Sequence, residues 1–119
     1  MTTYEQEILD LIKKAMTGEN LISFIYDEKN RIVEPYLLGE LYNKHQNHLE
    51  EGTFALRAWF VNGYTSEPVD LKKGDRWRVY ELQKIQELKI LSVTNHNLRP
   101  LYNPNDSKFK RIIFNVNVK

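Results

Sequence analysis

A chain of 119 residues with a hydrophobic fraction of 41% holds enough apolar material for one modest core and leaves little room for a second domain. It has no cysteine, which excludes disulfides, thiol catalysis and cysteine-ligated zinc. Net charge is only +1, so bulk charge does not mark a nucleic-acid binder, and no segment approaches the run of about 18 apolar residues that a membrane helix needs.

The N-terminal segment is polar and acidic, unlike a secretory signal, and a cytoplasmic location is expected. The first predicted element is a helix over 4–17. Thr2 and Glu5, or Thr3 and Gln6, have capping-box spacing. Ile8, Leu11, Ile12, Ala15 and Met16 then recur at helical intervals on one face. Gly18 is placed to end it in the left-handed conformation. The period next becomes strand-like. Leu21–Tyr26, a polar turn at 27–30 and Arg31–Leu38 predict a hairpin, with Pro35 marking an edge, a bend or a bulge.

Residues 43–53 read as a polar loop. Phe54–Asn62 is a third strand, with Phe54, Leu56, Ala58 and Phe60 on one face and Ala55, Arg57, Trp59 and Val61 on the other. After an irregular stretch over 64–75, Arg76–Ile85 reads as a fourth strand. Gln86–Val93 is a short fifth element, strand or single helical turn. Arg99–Ser107 is a loop, and the alternation of Ile112, Phe114, Val116 and Val118 predicts a half-buried final strand. One helix followed by short strands predicts a mainly β domain, folded as a small, strongly bent SH3- or Sm-like barrel.

Charge is unevenly placed. Residues 1–20 carry Glu5, Glu7, Asp10 and Glu19 against Lys13 and Lys14, a net of −2. Residues 96–119 carry Arg99, Lys108, Lys110, Arg111 and Lys119 against Asp106, a net of +4. An acidic start and a basic end predict a polarised surface.

Three segments together resemble the WYL family: Ile22–Tyr26 with Arg31–Leu38, then Phe54–Trp59, then Arg76–Ile85. The opening hairpin is the most specific of them, and the likeness spans about residues 20–93. Only Leu56 remains of the family's Trp-Tyr-Leu triplet, and Glu81 stands where a second arginine is usual. The resemblance implies a single WYL-like domain over 1–119, made of the helix (4–17), the barrel (20–93) and a C-terminal loop with the final strand (94–119). It further implies a bacterial or phage regulatory module, non-enzymatic and without cofactor, that senses single-stranded nucleic acid or a nucleotide-type ligand. No helix-turn-helix accompanies it, since one helix cannot make one.

The candidate site is Tyr26, Arg31, Arg57, Trp59, Arg76 and Arg78. Guanidinium groups grip phosphate bidentately, and aromatic rings beside them stack bases. Spacing of two puts Arg76 and Arg78 on one strand face, and Arg57, interrupting an apolar strand, is expected to join them. On the plainer reading these arginines pair with Glu34, Glu40, Glu67 or Glu81 on a solvated surface. Trp59 and Trp77 are stacking platforms or core; Lys108–Arg111 is a phosphate contact or the shoulder of the last strand. His45 and His48 have the spacing of a metal pair but lie in a polar loop without further ligands, so no metal is expected. No phosphate loop or nucleophile motif occurs, and Glu34 with Glu81 is a weak case for a catalytic carboxylate pair. The rival function is protein–protein association or oligomeric assembly, with Ile112–Val118 as a strand donor and the acidic helix face as a dock.

Overall fold

The computed structural model describes residues 1–42, 51–63 and 76–116. Helix α1 (Thr3–Thr17) opens the chain, and of the two capping boxes the Thr2–Glu5 pair forms. The Thr2 hydroxyl accepts the Glu5 N–H at 3.1 Å, and the Glu5 carboxylate accepts the Thr2 N–H at 2.9 Å. The apolar face is turned slightly from the expected one. Leu9 is buried with Ile8, Ile12, Ala15 and Met16, whereas Leu11 is 42% exposed. The helix also ends differently. Gly18 keeps φ −85°, and Glu19 takes the left-handed conformation with φ 57°.

Six antiparallel strands follow: β1 (Asn20–Tyr26), β2 (Lys29–Leu41), β3 (Phe54–Gly63), β4 (Trp77–Glu81), β5 (Gln86–Thr94) and β6 (Phe109–Asn115). A two-residue turn joins β1 to β2, with both Asp27 and Glu28 at positive φ, the type I′ geometry that matches strand twist. The fourth strand stops at Glu81, short of the expected Ile85. Leu82, the first residue of a 3-10 turn over Leu82–Lys84, and Ile85, just after it, are fully buried, and the turn re-aims the chain into β5.

β2 organises the sheet. Its first half pairs with β1, its second half with β6, and β3 runs along its other edge. A bulge between Pro35 and Leu37 bends it where the change of partner occurs. Gly39 permits the close passage of β6: a Cβ there would sit 2.5 Å from the Arg111 carbonyl oxygen. The predicted final strand is thus β6, already paired to β2; residues 117–119, including Val118, lie outside the described residues.

The protein is mainly β, as expected, but the sheet is not closed into a barrel. The order is β4-β3-β2-β1-β5, with β6 on β2, and the end strands β4 and β5 do not pair. Helix α1 occupies the gap. It packs on β1 and β2 and meets β5 at one side and the 3-10 turn after β4 at the other. Ile8, Leu9, Ile12, Ala15 and Met16 thereby share one core with Ile22, Phe24, Leu38, Leu56 and Tyr80 on the concave face. On the other face a smaller cluster forms from Leu37, Ala55 and Phe109. Among the described residues no helix is long and apolar enough to cross a membrane.

Candidate ligand-binding site

The six candidate residues fall into two groups, and strand alternation decides which. Arg31 stands opposite Phe24 in the β1–β2 register, and Arg78 stands opposite Ala58 in the β3–β4 register. Both therefore point to the concave face, as Tyr26 does two residues beyond Phe24. Arg57 stands opposite Val79, and Trp59 opposite Trp77, so these two belong to the convex face. The expectation that Arg57 joins Arg76 and Arg78 on one face is corrected by this register.

At the concave end, Arg31 is 4% exposed, and its guanidinium lies 5.6 Å from the centre of the Tyr26 ring. Its Nη2 donates to the Tyr26 carbonyl at 2.9 Å. Phe24, Tyr26 and Tyr80 meet edge to face, with centroids 5.0 to 6.3 Å apart. The Tyr26 hydroxyl accepts the Glu81 N–H at 3.1 Å. Burial pushes the Tyr80 phenol pKa up, and the positive charges of Arg31 and Arg78 oppose that rise. Arg78 and Tyr80, opposite Ala58 and Leu56, share this face with Arg31. Arg76, just before β4, lies over the Phe60 ring at 5.9 Å and donates to the Phe60 and Val61 carbonyls at 3.3 Å. Arg78 donates to the Trp77 carbonyl at 2.9 Å. Four candidates, Tyr26, Arg31, Arg76 and Arg78, therefore line one end of the concave face, joined by Tyr80 and Phe60.

The convex face holds a different construction. Arg57 pairs with Asp106 at 2.8 Å, with both side chains 15% exposed. Trp59 is 7% exposed and packs edge-on against Trp77, with centroids 5.3 Å apart. Tyr36 and Tyr102 complete the aromatic group. Arg99 covers Trp59 at 5.6 Å and grips the buried Glu34 carboxylate through Nε at 2.9 and 3.0 Å. Asn95 Nδ2 and the Tyr36 hydroxyl also donate to Glu34, at 3.0 and 3.3 Å. Burial, with the Glu34 charge second, pushes the Tyr36 pKa to about 12, and burial does the same to Tyr102.

Trp59 and Trp77 are consequently packing residues of this second layer. Glu34 and Glu81 form no pair: Glu34 is taken by Arg99, and Glu81 by Lys84 at 2.7 Å. Glu40, the other buried acid of β2, accepts the Gly52 N–H at 2.7 Å and faces Lys110 and Arg111, which assigns these two basic residues to holding the last strand. Sequence reasoning missed Arg99, Tyr102 and Asp106, because nothing local to a Pro- and Asn-rich loop announces partners some fifty or more residues away. His45, His48 and Glu67 lie outside the described residues. Among the described residues no group of three or more His, Asp or Glu side chains is placed to hold a metal.

No family model matches the chain, and no curated protein or solved structure matches it.

Proposed function

We propose that this chain is a non-enzymatic, WYL-like regulatory module of the cytoplasm that binds single-stranded nucleic acid or a nucleotide-type anion at the concave end of its sheet. The observation that carries this reading is the placement of Arg31 and Arg78 on one face with Tyr26 and Tyr80, with Arg76 lying over the Phe60 ring. Guanidinium groups beside aromatic rings suit phosphate and base together. Arg76, Arg78 and Tyr26 are half-buried and would touch the ligand. Arg31 is buried behind Tyr26 and acts as a positioning residue. Arg57 and Trp59 are structural in this reading.

Fluorescence anisotropy of labelled single- and double-stranded DNA and RNA, at several salt concentrations, tests the idea. Affinity should fall steeply with salt, as phosphate neutralisation requires. Arg78→Ala and Arg76→Ala should each weaken binding roughly ten-fold. Arg57→Ala should leave it unchanged in protein that is still folded. Absence of binding at low salt, or equal losses at Arg57 and Arg78, would overturn the assignment.

A second reading, association with a protein strand, is favoured by one observation. β5 runs nine residues and pairs on one side only, with β1, among the described residues. Such an edge can accept a strand from a partner or a second copy. Light scattering on the eluted protein separates the two, since assembly without oligonucleotide binding supports the second alone.

A further inference from the structure

A pocket of about 80 Å³ opens at the start of β1, the end remote from Tyr26. The last turn of α1, the bend of β2, the loop after β5 and Val116 enclose it. Its walls are largely apolar, supplied by Met16, Leu21, Pro35, Tyr36, Leu98 and Val116. Two acidic residues, Glu19 and Glu34, are also part of its lining, and among the described residues no lysine or arginine is. The Glu34 charge is already met by the Arg99 guanidinium, so the acidic charge left at the pocket is that of Glu19, which disfavours a bound anion.

The two acids differ in what they have left to offer. The Glu34 oxygens already accept from Arg99, Asn95 and Tyr36. Glu19, at the mouth, is held by the Nδ1 of His96, whose side chain is 72% exposed. A contact made by so exposed a side chain is one that a ligand's ammonium group can replace. Glu19 is also an odd residue for its place. It occupies the left-handed position at the end of α1, where glycine fits without strain, and it sets a negative charge at the negative end of the helix. Its carbonyl accepts the Asn95 N–H at 3.0 Å, which fixes its backbone to the loop that forms the pocket's outer wall.

We propose that this pocket is a second binding site, separate from the arginine cluster, that takes a small primary amine with a compact, branched apolar body. The ammonium group takes the Glu19 carboxylate from His96. The body lies against Leu21, Pro35, Tyr36 and Val116, where burial of apolar surface adds to the ion pair. The small volume restricts the body to a few carbon atoms.

The test is an NMR titration of the full chain with isobutylamine, set beside the isosteric isobutanol and isobutyrate. Isobutylamine should give saturable shifts at Asn95, His96, Leu98 and Val116 at millimolar concentration. It should bind at least ten-fold more tightly than isobutanol, and isobutyrate should give no shifts. Glu19→Gln should lower amine affinity to that of the alcohol. Glu19→Gly should do the same while raising the melting temperature, a pairing of gained stability and lost binding that a purely structural glutamate would not produce. Arg78→Ala should leave amine binding intact. Equal affinity for amine and alcohol, full affinity in Glu19→Gln, or no shifts at any of these positions would overturn the proposal.

Discussion

Glu34 and Arg31 are each nearly inaccessible to water, and each is made tolerable by a different device. Glu34 accepts a side-on guanidinium and two further donors, so its charge is met from several directions. Arg31 spends a donor on a backbone carbonyl and lies over an aromatic ring. The acid fastens the C-terminal loop to β2, and the base stiffens the hairpin that carries Tyr26. Loop attachment has a consequence at high pH. Tyr36 and Tyr102 hold their protons to about pH 12 in the folded protein, chiefly because burial disfavours the phenolate. The unfolded chain ionises them near pH 10. Between these values the native state binds more protons than the unfolded one, so stability must fall as pH rises. Urea midpoints at pH 8, 10 and 11 should decline beyond pH 10. Tyr102→Phe should start lower, having lost its bonds to the Val116 and Tyr36 carbonyls, and should decline less steeply. A variant curve parallel to that of the parent would mean that the Tyr102 hydroxyl does not titrate in this way.

At the scale of elements, turn chemistry and strand register decide more than hydrophobic pattern does. The β1–β2 turn places Asp27 at φ 51° and Glu28 at φ 64°. Both are left-handed, and glutamate pays a steric penalty there that glycine escapes. Glu28→Gly creates the Asp-Gly pair preferred in this turn and should stabilise the fold by about 1 kcal/mol. A higher urea midpoint with an unchanged slope would bear that out, and a lower midpoint would show the turn to be relaxed as it stands. The helix, the hairpin and the third strand were legible in the sequence because each repeats its apolar residues at a fixed period. The break at Glu81 was not. Leu82 and Ile85 are apolar at a spacing of three, which a strand reading absorbs as irregular alternation, and only the packed structure distinguishes a 3-10 turn. The candidate site was legible in part for the same reason. Period two correctly set Arg57 on the face opposite Leu56 and Ala58, but it does not apply to Arg76, which lies just before β4, and it says nothing about the register between β3 and β4. That register sends Arg57 to the opposite face, where Asp106 meets it.

For the molecule as a whole, the question is how six strands enclose a core without closing. β4 has five residues and so offers β5 only a short edge, and β5 is itself joined to β1 through two irregularities of register. The helix substitutes for that missing pairing. Its Tyr4 hydroxyl donates to the Ile85 carbonyl, tying its first turn to the far side of the gap, while Ile8, Leu9, Ile12 and Met16 fill the space beneath. Four large apolar side chains at roughly 1.5–3 kcal/mol each amount to about 6–12 kcal/mol, comparable to the entire stability of a small domain. Adjacent helix positions should therefore respond very differently to the same charge. Ile12 is fully buried and Leu11 is 42% exposed. Ile12→Asp should cost roughly 4 kcal/mol or more and leave little folded protein. Leu11→Asp should cost about 1 kcal/mol or less, mostly through helix propensity. Thermal melts followed by circular dichroism measure both. If Ile12→Asp kept a cooperative melt close to that of Leu11→Asp, the sheet would have to hold its core without the helix, and the open ends at β4 and β5 would need another explanation.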